Sequence, residues 1–554
     1  MDKIPKGVIV IGLDGATLDV LIPLAKQGLM PRMGELLKKS AYGPLTSVIP
    51  PVTGPAWTTF MTGMMPDRHG LMDFVHRTEG SVHRVPVNYN RIQTPTILEM
   101  VGKQQTGKRV CGFNIPITYP APEINGIVVS GMLTPGTDVD YTYPKELKQE
   151  IEAIEPYVLD VFWQTFSDSS SEAFLRRLIE FEKQKVRISR ELYEREAWDL
   201  FISVFVGTDR IQHALWPVIA GIIDAKTLEP RWEALKPLVR EYFSIVDDAV
   251  GWLLDKAGDE KAIFVMSDHG FGPLDRKFYV NRWLHDQGWL AFDERMARTQ
   301  RTKALVKLLL KKILLRIPGL GKIATSKMTR PMKGRMKAYQ FLDIIDWDKT
   351  TAYGVSNTEQ GIYINLKGRE PNGIIEPGEE YQRVCKQVAD ALKQVVDPQD
   401  GKSIVSHAYS RDELYSGPHA GESPDIIFFL RDGAYLADVK LHPKPFGPTS
   451  WTTGRGTHRL DGTFIAYGPN VKPQSGIRTS IADLVPCILY QLGMAIPDNL
   501  DGKLPLDVFD KEFVTANPPS YRTAESSERE GKQGDMDEDE QALVFERLKG
   551  LGYL

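Results

Sequence analysis

Cysteine is scarce in this sequence: there are 3 in 554 residues, Cys111, Cys385 and Cys487. An odd and scattered set of that kind excludes a disulfide framework and a cysteine-based metal site. Long apolar runs are missing as well. No stretch of about 18 or more uncharged apolar residues occurs, which excludes a transmembrane helix. Neither sign of charge dominates, with Lys plus Arg at 68, Asp plus Glu at 72 and a formal charge of -4. The balance demands neither nucleic acid nor membrane as a partner, and no specific nucleic-acid binding is expected. There is no internal repeat, and 42% hydrophobic with 25% charged residues excludes a disordered or fibrous chain. A secretory leader is not legible either. Met1-Asp-Lys-Ile-Pro-Lys6 runs into a short apolar stretch that has no small-residue cleavage pattern after it and ends on Asp14. The expected address is the cytoplasm.

What is present is a rhythm of short apolar runs bounded by turn residues: Val8–Leu13, Gly126–Ser130, Leu200–Val206, Ala262–Ser267, Asp425–Leu430 and Thr463–Tyr467. Longer amphipathic stretches, such as Ser171–Tyr193 and Glu233–Lys256, lie between them. Continuous Val/Ile/Phe strands alternating with helices predict an α/β fold with a mainly parallel sheet covered by helices on both faces. In such a fold, chemistry gathers at the carboxyl ends of the strands.

Polar residues of the right kinds sit at those ends. Asp14 follows Val8–Leu13, and Thr53 lies in Pro50-Pro-Val-Thr-Gly-Pro55. Asp209 and His213 occur in Gly207-Thr-Asp-Arg-Ile-Gln-His213, Asp268 and His269 in Ser267-Asp-His-Gly270, and His458 just before the last strand. Three carboxylates and three imidazoles make a mixed oxygen/nitrogen set suited to zinc or manganese. The spacing of four puts Asp209 and His213 on one face of a helical turn. Taken singly, each is as readily a cap, a turn or a polar face. Their common position at one end of the sheet is what makes them a candidate site.

The order of these motifs resembles the type I phosphodiesterase/nucleotide pyrophosphatase family of the alkaline phosphatase superfamily, over about residues 6 to 510. The Thr53 motif is followed by Thr62-Gly-Met-Met-Pro-Asp-Arg-His-Gly70, and the closing run Ile481–Gly493 with Leu500-Asp-Gly502 fits as well. The resemblance implies an alkaline-phosphatase-like core and two divalent metal ions, zinc or alternatively manganese. One would be held by Asp209, His213 and His458, the other by Asp14, Asp268 and His269 with Thr53. It further implies hydrolysis of phosphodiester or pyrophosphate bonds through a covalent phospho-threonine on Thr53. Sulfatase chemistry is disfavoured, because a threonine cannot be oxidised to formylglycine and Trp57 stands at the matching arginine position. Phosphomonoesterase, phosphonate hydrolase and phospho-group transferase activities remain alternatives on the same fold. A non-catalytic, membrane-associated binding protein is the alternative from another class. One departure bears on the substrate. Phe74 stands where nucleotide pyrophosphatases carry a phosphate-touching Asn, and Asn114 is the candidate to supply an equivalent amide. His69 reads as a structural loop residue.

The expected division is a core of residues 1–294 and 420–510, an inserted cap of 295–419, and a polar linker with a C-terminal helix over 511–554. From Arg295 to Lys337 there is no Asp or Glu, and Lys303–Arg316 pairs a Leu/Ile stripe with basic residues. That pattern suits a solvated cap helix, peripheral contact with an anionic membrane, or steering of an anionic substrate. A nucleotide, a lipid-linked phosphate or another small phosphate ester is the expected substrate class.

Overall fold

The computed structural model describes residues 4–78, 80–293, 341–451, 454–524 and 536–553. The basic stretch 303–316 therefore lies outside the described residues, as does the middle of the polar linker. Among the described residues, no helix is long and apolar enough to cross a membrane.

Strands buried on both faces set the architecture. Val8–Leu13 (β1) is buried along its whole length, which is why its sequence is continuously apolar rather than alternating. It is followed in the chain by Ala41–Thr46 (β2), Val110–Ile115 (β3), Gly126–Ser130 (β4), Thr142–Tyr143 (β5), Leu200–Phe205 (β6) and Ala262–Met266 (β7). Asp461–Tyr467 (β8), Gln474–Ser475 (β9) and Thr479–Ser480 (β10) complete a ten-stranded sheet. Its order is β9-β2-β8-β7-β1-β6-β3-β4-β5, with β10 pairing β2. The centre is parallel, and β8 runs antiparallel between β2 and β7.

Register then decides where the polar residues go. Leu13 pairs with Phe205, and Gly12 with Met266, so β1, β6 and β7 finish level with one another. The residues that follow each strand emerge at one edge. The antiparallel β8 begins at that same edge, so the segment before it, Gly456–Arg459, arrives there too and pairs with Gly270–Pro273. The buried helix Thr53–Thr62 (α1) abuts the sheet, Gly207–Ile223 (α3) continues directly from β6, and the long helices Ser171–Glu194 (α2) and Lys236–Ala257 (α4) cover one another.

The cap extends further along the chain than the sequence implies. Ile426–Leu430 falls within residues 420–510, which the sequence assigns to the core, but it belongs to a separate four-stranded antiparallel sheet with Ala352–Tyr353, Gly361–Ile364 and Val405–Ser410. The run Ile426-Ile-Phe-Phe-Leu430 is buried throughout. A fully apolar strand reports burial on both faces, but not which sheet provides it. The chain rejoins the main sheet only at β8. Cap and core meet through Asp73, whose carboxylate accepts from Ser356 Oγ at 2.9 Å and Thr358 Oγ1 at 2.7 Å.

The carboxyl-terminal segment folds back on the core as a helix, Glu538–Gly550 (α5). It opens with a capping box, in which Asp537 accepts from the Glu540 N–H and Glu540 accepts from the Asp537 N–H. Val544 and Leu548 on its inner face are fully buried.

Candidate active site

Three aspartates reach the common edge, each with one carboxylate oxygen committed and the other without a partner. Asp14 Oδ2 accepts from the Trp57 indole at 3.3 Å. Asp268 Oδ1 accepts from the Gly15 N–H at 3.1 Å, an approach that depends on Gly15 adopting φ 68. Asp209 Oδ2 accepts from Arg210, whose guanidinium also grips Asp160 at 2.8 Å. The remaining oxygens, Asp14 Oδ1, Asp209 Oδ1 and Asp268 Oδ2, are buried without a hydrogen-bond partner. An orphaned buried carboxylate oxygen is costly, and three of them facing one volume call for a cation.

The histidines are arranged to complement this. Nδ1 of His213, His269 and His458 lies 3.0 Å from the Gly456 carbonyl, 3.2 Å from that of Gly270 and 2.8 Å from that of Pro51, respectively. A carbonyl only accepts, so each Nδ1 carries the proton and each Nε2 presents a lone pair. This is the way metal-ligating imidazoles are held by their surroundings. His213 Nε2 and His458 Nε2 stand 3.1 Å apart. Two lone pairs at that distance repel unless a positive charge lies between them.

The cluster has two lobes. Asp209 Oδ1 is 3.4 Å from His213 Nε2 and 3.3 Å from His458 Nε2. His269 Nε2 is 3.2 Å from Asp268 Oδ2 and 3.7 Å from Asp14 Oδ1. Asp14, Asp268 and His269 bring ligand atoms within 4.8 Å of one another, as do Asp209, His269 and His458. His269 thus sits at the seam, its ring stacked on that of His458 at 3.6 Å. The donor set suits divalent cations of the borderline kind that oxygen and nitrogen ligands select.

Electrostatics points the same way. Burial, reinforced by the charges of Asp268 and Asp209, raises the Asp14 carboxyl well above its ordinary range, and burial pushes Asp268 up to about 7. Burial lowers His213 to about 4 and holds His269 well below its ordinary value. Burial would raise Asp209 too, but the Arg210 guanidinium in contact with it holds it well below the usual carboxylate range.

Thr53 opens α1, and every residue of that helix is buried. Its hydroxyl lies 3.1 Å from His269 Nε2 and 3.4 Å from the Tyr553 hydroxyl. The positive end of the helix dipole is therefore directed at Thr53. Asn114 is engaged otherwise. It sits at φ 59 where the β3–β4 register breaks, and its side-chain N–H donates to the Val204 carbonyl at 2.8 Å. None of the hydrogen bonds described for it reaches Thr53 or the cluster.

Two further residues are visible only in the fold. Arg210 lies inside the Asp209–His213 motif, yet it is fully buried and clamps Asp209. Tyr553 stands 500 residues from Thr53 in the chain, and no local pattern signals it.

His69 lies one helix away. Its Nδ1 accepts from the Leu71 N–H at 3.2 Å, and its Nε2–H faces Thr59 Oγ1 at 3.0 Å. Burial lowers it from 6.5 to about 3. Unfolding therefore takes up a proton between those values. This contribution to stability is complete above pH 6.5 and is lost at about 1.4 kcal/mol per pH unit as the pH falls toward 3. Replacing His69 by Gln should remove one proton from the uptake measured on acid unfolding. An unchanged uptake would mean that His69 is protonated in the fold.

No curated protein sequence matches the chain. Among solved structures it is similar to phosphonoacetate hydrolase from Sinorhizobium meliloti 1021 in complex with phosphonoacetate, with a TM-score of 0.52 and 15% identity, covering 88% of this chain and 96% of that one. It is also similar to an inactive form of murine ectonucleotide pyrophosphatase/phosphodiesterase 5 in complex with AMP, with a TM-score of 0.47 and 13% identity, covering 91% of this chain and 100% of that one. At 15% identity the likeness to the hydrolase is one of fold. The sequence pattern of the type I phosphodiesterase / nucleotide pyrophosphatase family is matched over residues 8–459, from β1 through His458. The chain belongs to that family of hydrolases.

Proposed function

We propose that this protein hydrolyses phosphodiester or pyrophosphate bonds with Thr53 as nucleophile, using two divalent cations. One is held by Asp209, His213 and His458, the other by Asp14, Asp268, His269 and Thr53. The observation that carries the reading is the Thr53 hydroxyl, 3.1 Å from Nε2 of His269, which belongs to a cluster whose carboxylate oxygens Asp14 Oδ1, Asp209 Oδ1 and Asp268 Oδ2 have no hydrogen-bond partner.

Bound cations would supply Lewis acidity there, making the Thr53 hydroxyl acidic enough to attack at neutral pH and neutralising charge on the leaving oxygen. The chain's own residues do the rest. Thr53 Oγ1 gives up its proton to solvent and forms a bond to phosphorus as the bond to the leaving oxygen breaks on the opposite side, and that oxygen takes up a proton from water. Water then cleaves the phospho-threonine, returning the hydroxyl and releasing the phosphoryl product. The N-terminus of α1 favours the negative charge that accumulates beside Thr53. Arg210 fixes the orientation of Asp209, and the three backbone carbonyls fix the tautomers of the histidines. Phe74, buried where a phosphate-contacting Asn would stand in nucleotide-specific relatives, leaves the nucleotide as one candidate among small phosphate esters.

The test is hydrolysis of bis-p-nitrophenyl phosphate against p-nitrophenyl phosphate, with zinc or manganese supplied. A kcat/KM higher for the diester by about 10-fold or more is expected, which is about 1.4 kcal/mol of transition-state preference. A monoester preference would reassign the enzyme as a phosphatase.

A further inference from the structure

Tyr553 belongs to the segment that folds back from the far end of the sequence, yet its hydroxyl is 3.4 Å from Thr53 Oγ1. Among the hydrogen bonds described for this phenol, that is its single partner, and the side chain is buried. A buried polar group normally finds a well-placed partner. Here the partner is the nucleophile, at a distance long for two hydroxyls. Tyrosine O–H donates readily, and its neighbour Thr53 Oγ1 is the atom on which the proposed phosphoryl group would be carried.

The seat of this residue is built, not incidental. Glu540 in the first turn of α5 accepts from Tyr119 Oη at 2.6 Å, and Arg547 Nε donates to the Pro135 carbonyl at 2.8 Å. The Leu551 carbonyl accepts from the Trp163 indole at 3.0 Å. Trp163 in turn stacks on His213 at 5.6 Å, so the tail is anchored on a residue that backs the cluster. The Tyr553 ring lies on Phe74 at 4.6 Å. Gly552 permits the final approach: it takes φ 89, and a Cβ there would come within 2.7 Å of the Trp163 ring. Leu-Gly-Tyr is thus a fitted sequence at this position.

We infer that Tyr553 is a catalytic residue, whose phenol donates a hydrogen bond to a non-bridging oxygen of the phosphoryl group carried on Thr53, so that the carboxyl-terminal segment completes the active site. This rests on the role proposed for Thr53. The phenol keeps its proton throughout and its contribution is the hydrogen bond alone. Phe74, which offers no donor, provides the surface that aims the donor.

Two full-length variants and two readouts test it. Tyr553→Phe keeps the ring on Phe74 and removes only the oxygen. Gly552→Val keeps the phenol and dislodges it, because valine fits neither the φ nor the space beside Trp163. With metal-loaded protein, inorganic phosphate binding followed by calorimetry should weaken about 10- to 100-fold in both, the range for a hydrogen bond to a charged group. On bis-p-nitrophenyl phosphate, Tyr553→Phe should lower kcat by a similar factor with KM within about 3-fold, at unchanged metal content and melting temperature. Undiminished phosphate affinity in Tyr553→Phe would overturn the assignment. So would faster turnover by Gly552→Val, which would make the segment a lid that obstructs the site. If the wild type hydrolyses neither ester, the proposed activity fails while the phosphate titration still decides the role of Tyr553.

Discussion

Thr53→Ala is expected to lower turnover by about 10⁴-fold or more, with metal content at the wild-type level. A factor of that size is about 5.5 kcal/mol in the barrier. The expectation follows from where the side chain is and what it touches. Alanine is the best helix former, so α1 should persist, and the change removes a hydroxyl and a methyl from a fully buried position. What is lost is the oxygen that stands 3.1 Å from His269 Nε2. The six Asp and His groups remain, with their orphaned oxygens and lone pairs intact, so cation binding should survive. Thr53→Ser restores a hydroxyl at the same carbon and should recover most of the rate. Acid quenching of the wild type during turnover should trap phosphate on the peptide containing Thr53, and the alanine variant should show none. Substantial turnover by Thr53→Ala would mean that water attacks phosphorus directly, and the covalent route would be wrong.

The parts of this arrangement that were legible in the sequence share a physical cause. β1, β4, β6 and β7 are covered on both faces, so each is a short, continuous apolar run, and the acid or imidazole that ends each functional strand stands out against it. β2 was not legible. It reads Ala-Tyr-Gly-Pro-Leu-Thr, lies toward the sheet edge and alternates between buried and half-buried positions. Ile426–Leu430 was legible as a strand but not as a strand of the cap, because apolarity carries no address. Arg210 was hidden in plain view. An arginine in a helix is ordinarily solvated, and here its pairing with both Asp160 and Asp209 holds it inside. Tyr553 illustrates the deeper limit. Its contact with Thr53 is created by the docking of α5, which depends on Tyr119, Pro135 and Trp163, and nothing within a window around either residue encodes it.

Asp268→Asn should abolish activity and yet make the metal-free protein more stable than the wild type. In the metal-free fold Asp268 is pushed up to about 7, first by burial, while Asp14 beside it is raised well above the normal range. A carboxyl that ordinarily ionises near 3.8 but stays protonated in the fold up to about 7 makes the folded form hold a proton that the unfolded chain has released. Stability is therefore lost as pH rises through that interval, and the full penalty is present at pH 8. Asparagine carries no charge to desolvate. Its oxygen can still accept from the Gly15 N–H, and its amide nitrogen would take the place of the Asp268 Oδ2, 3.2 Å from His269 Nε2. Because His269 Nδ1 faces the Gly270 carbonyl, that Nε2 is an acceptor, and a donor replaces a repelling oxygen. A gain of about 1–3 kcal/mol is expected at pH 8 in chelator, read as a melting temperature higher by a few degrees and shrinking toward pH 5. Zinc should reverse the order. The wild type gains about 2.7 kcal/mol at a hundredfold excess over its dissociation constant, and the variant, missing a ligand, gains little in that lobe. Turnover in zinc should fall about 10³-fold or more, because the proposed mechanism needs Asp268 to hold the cation that would activate Thr53. If the metal-free wild type proved the more stable of the two at pH 8, the clustered carboxylates would not be a strain on the fold, and the orphaned oxygens could no longer be read as places kept for cations.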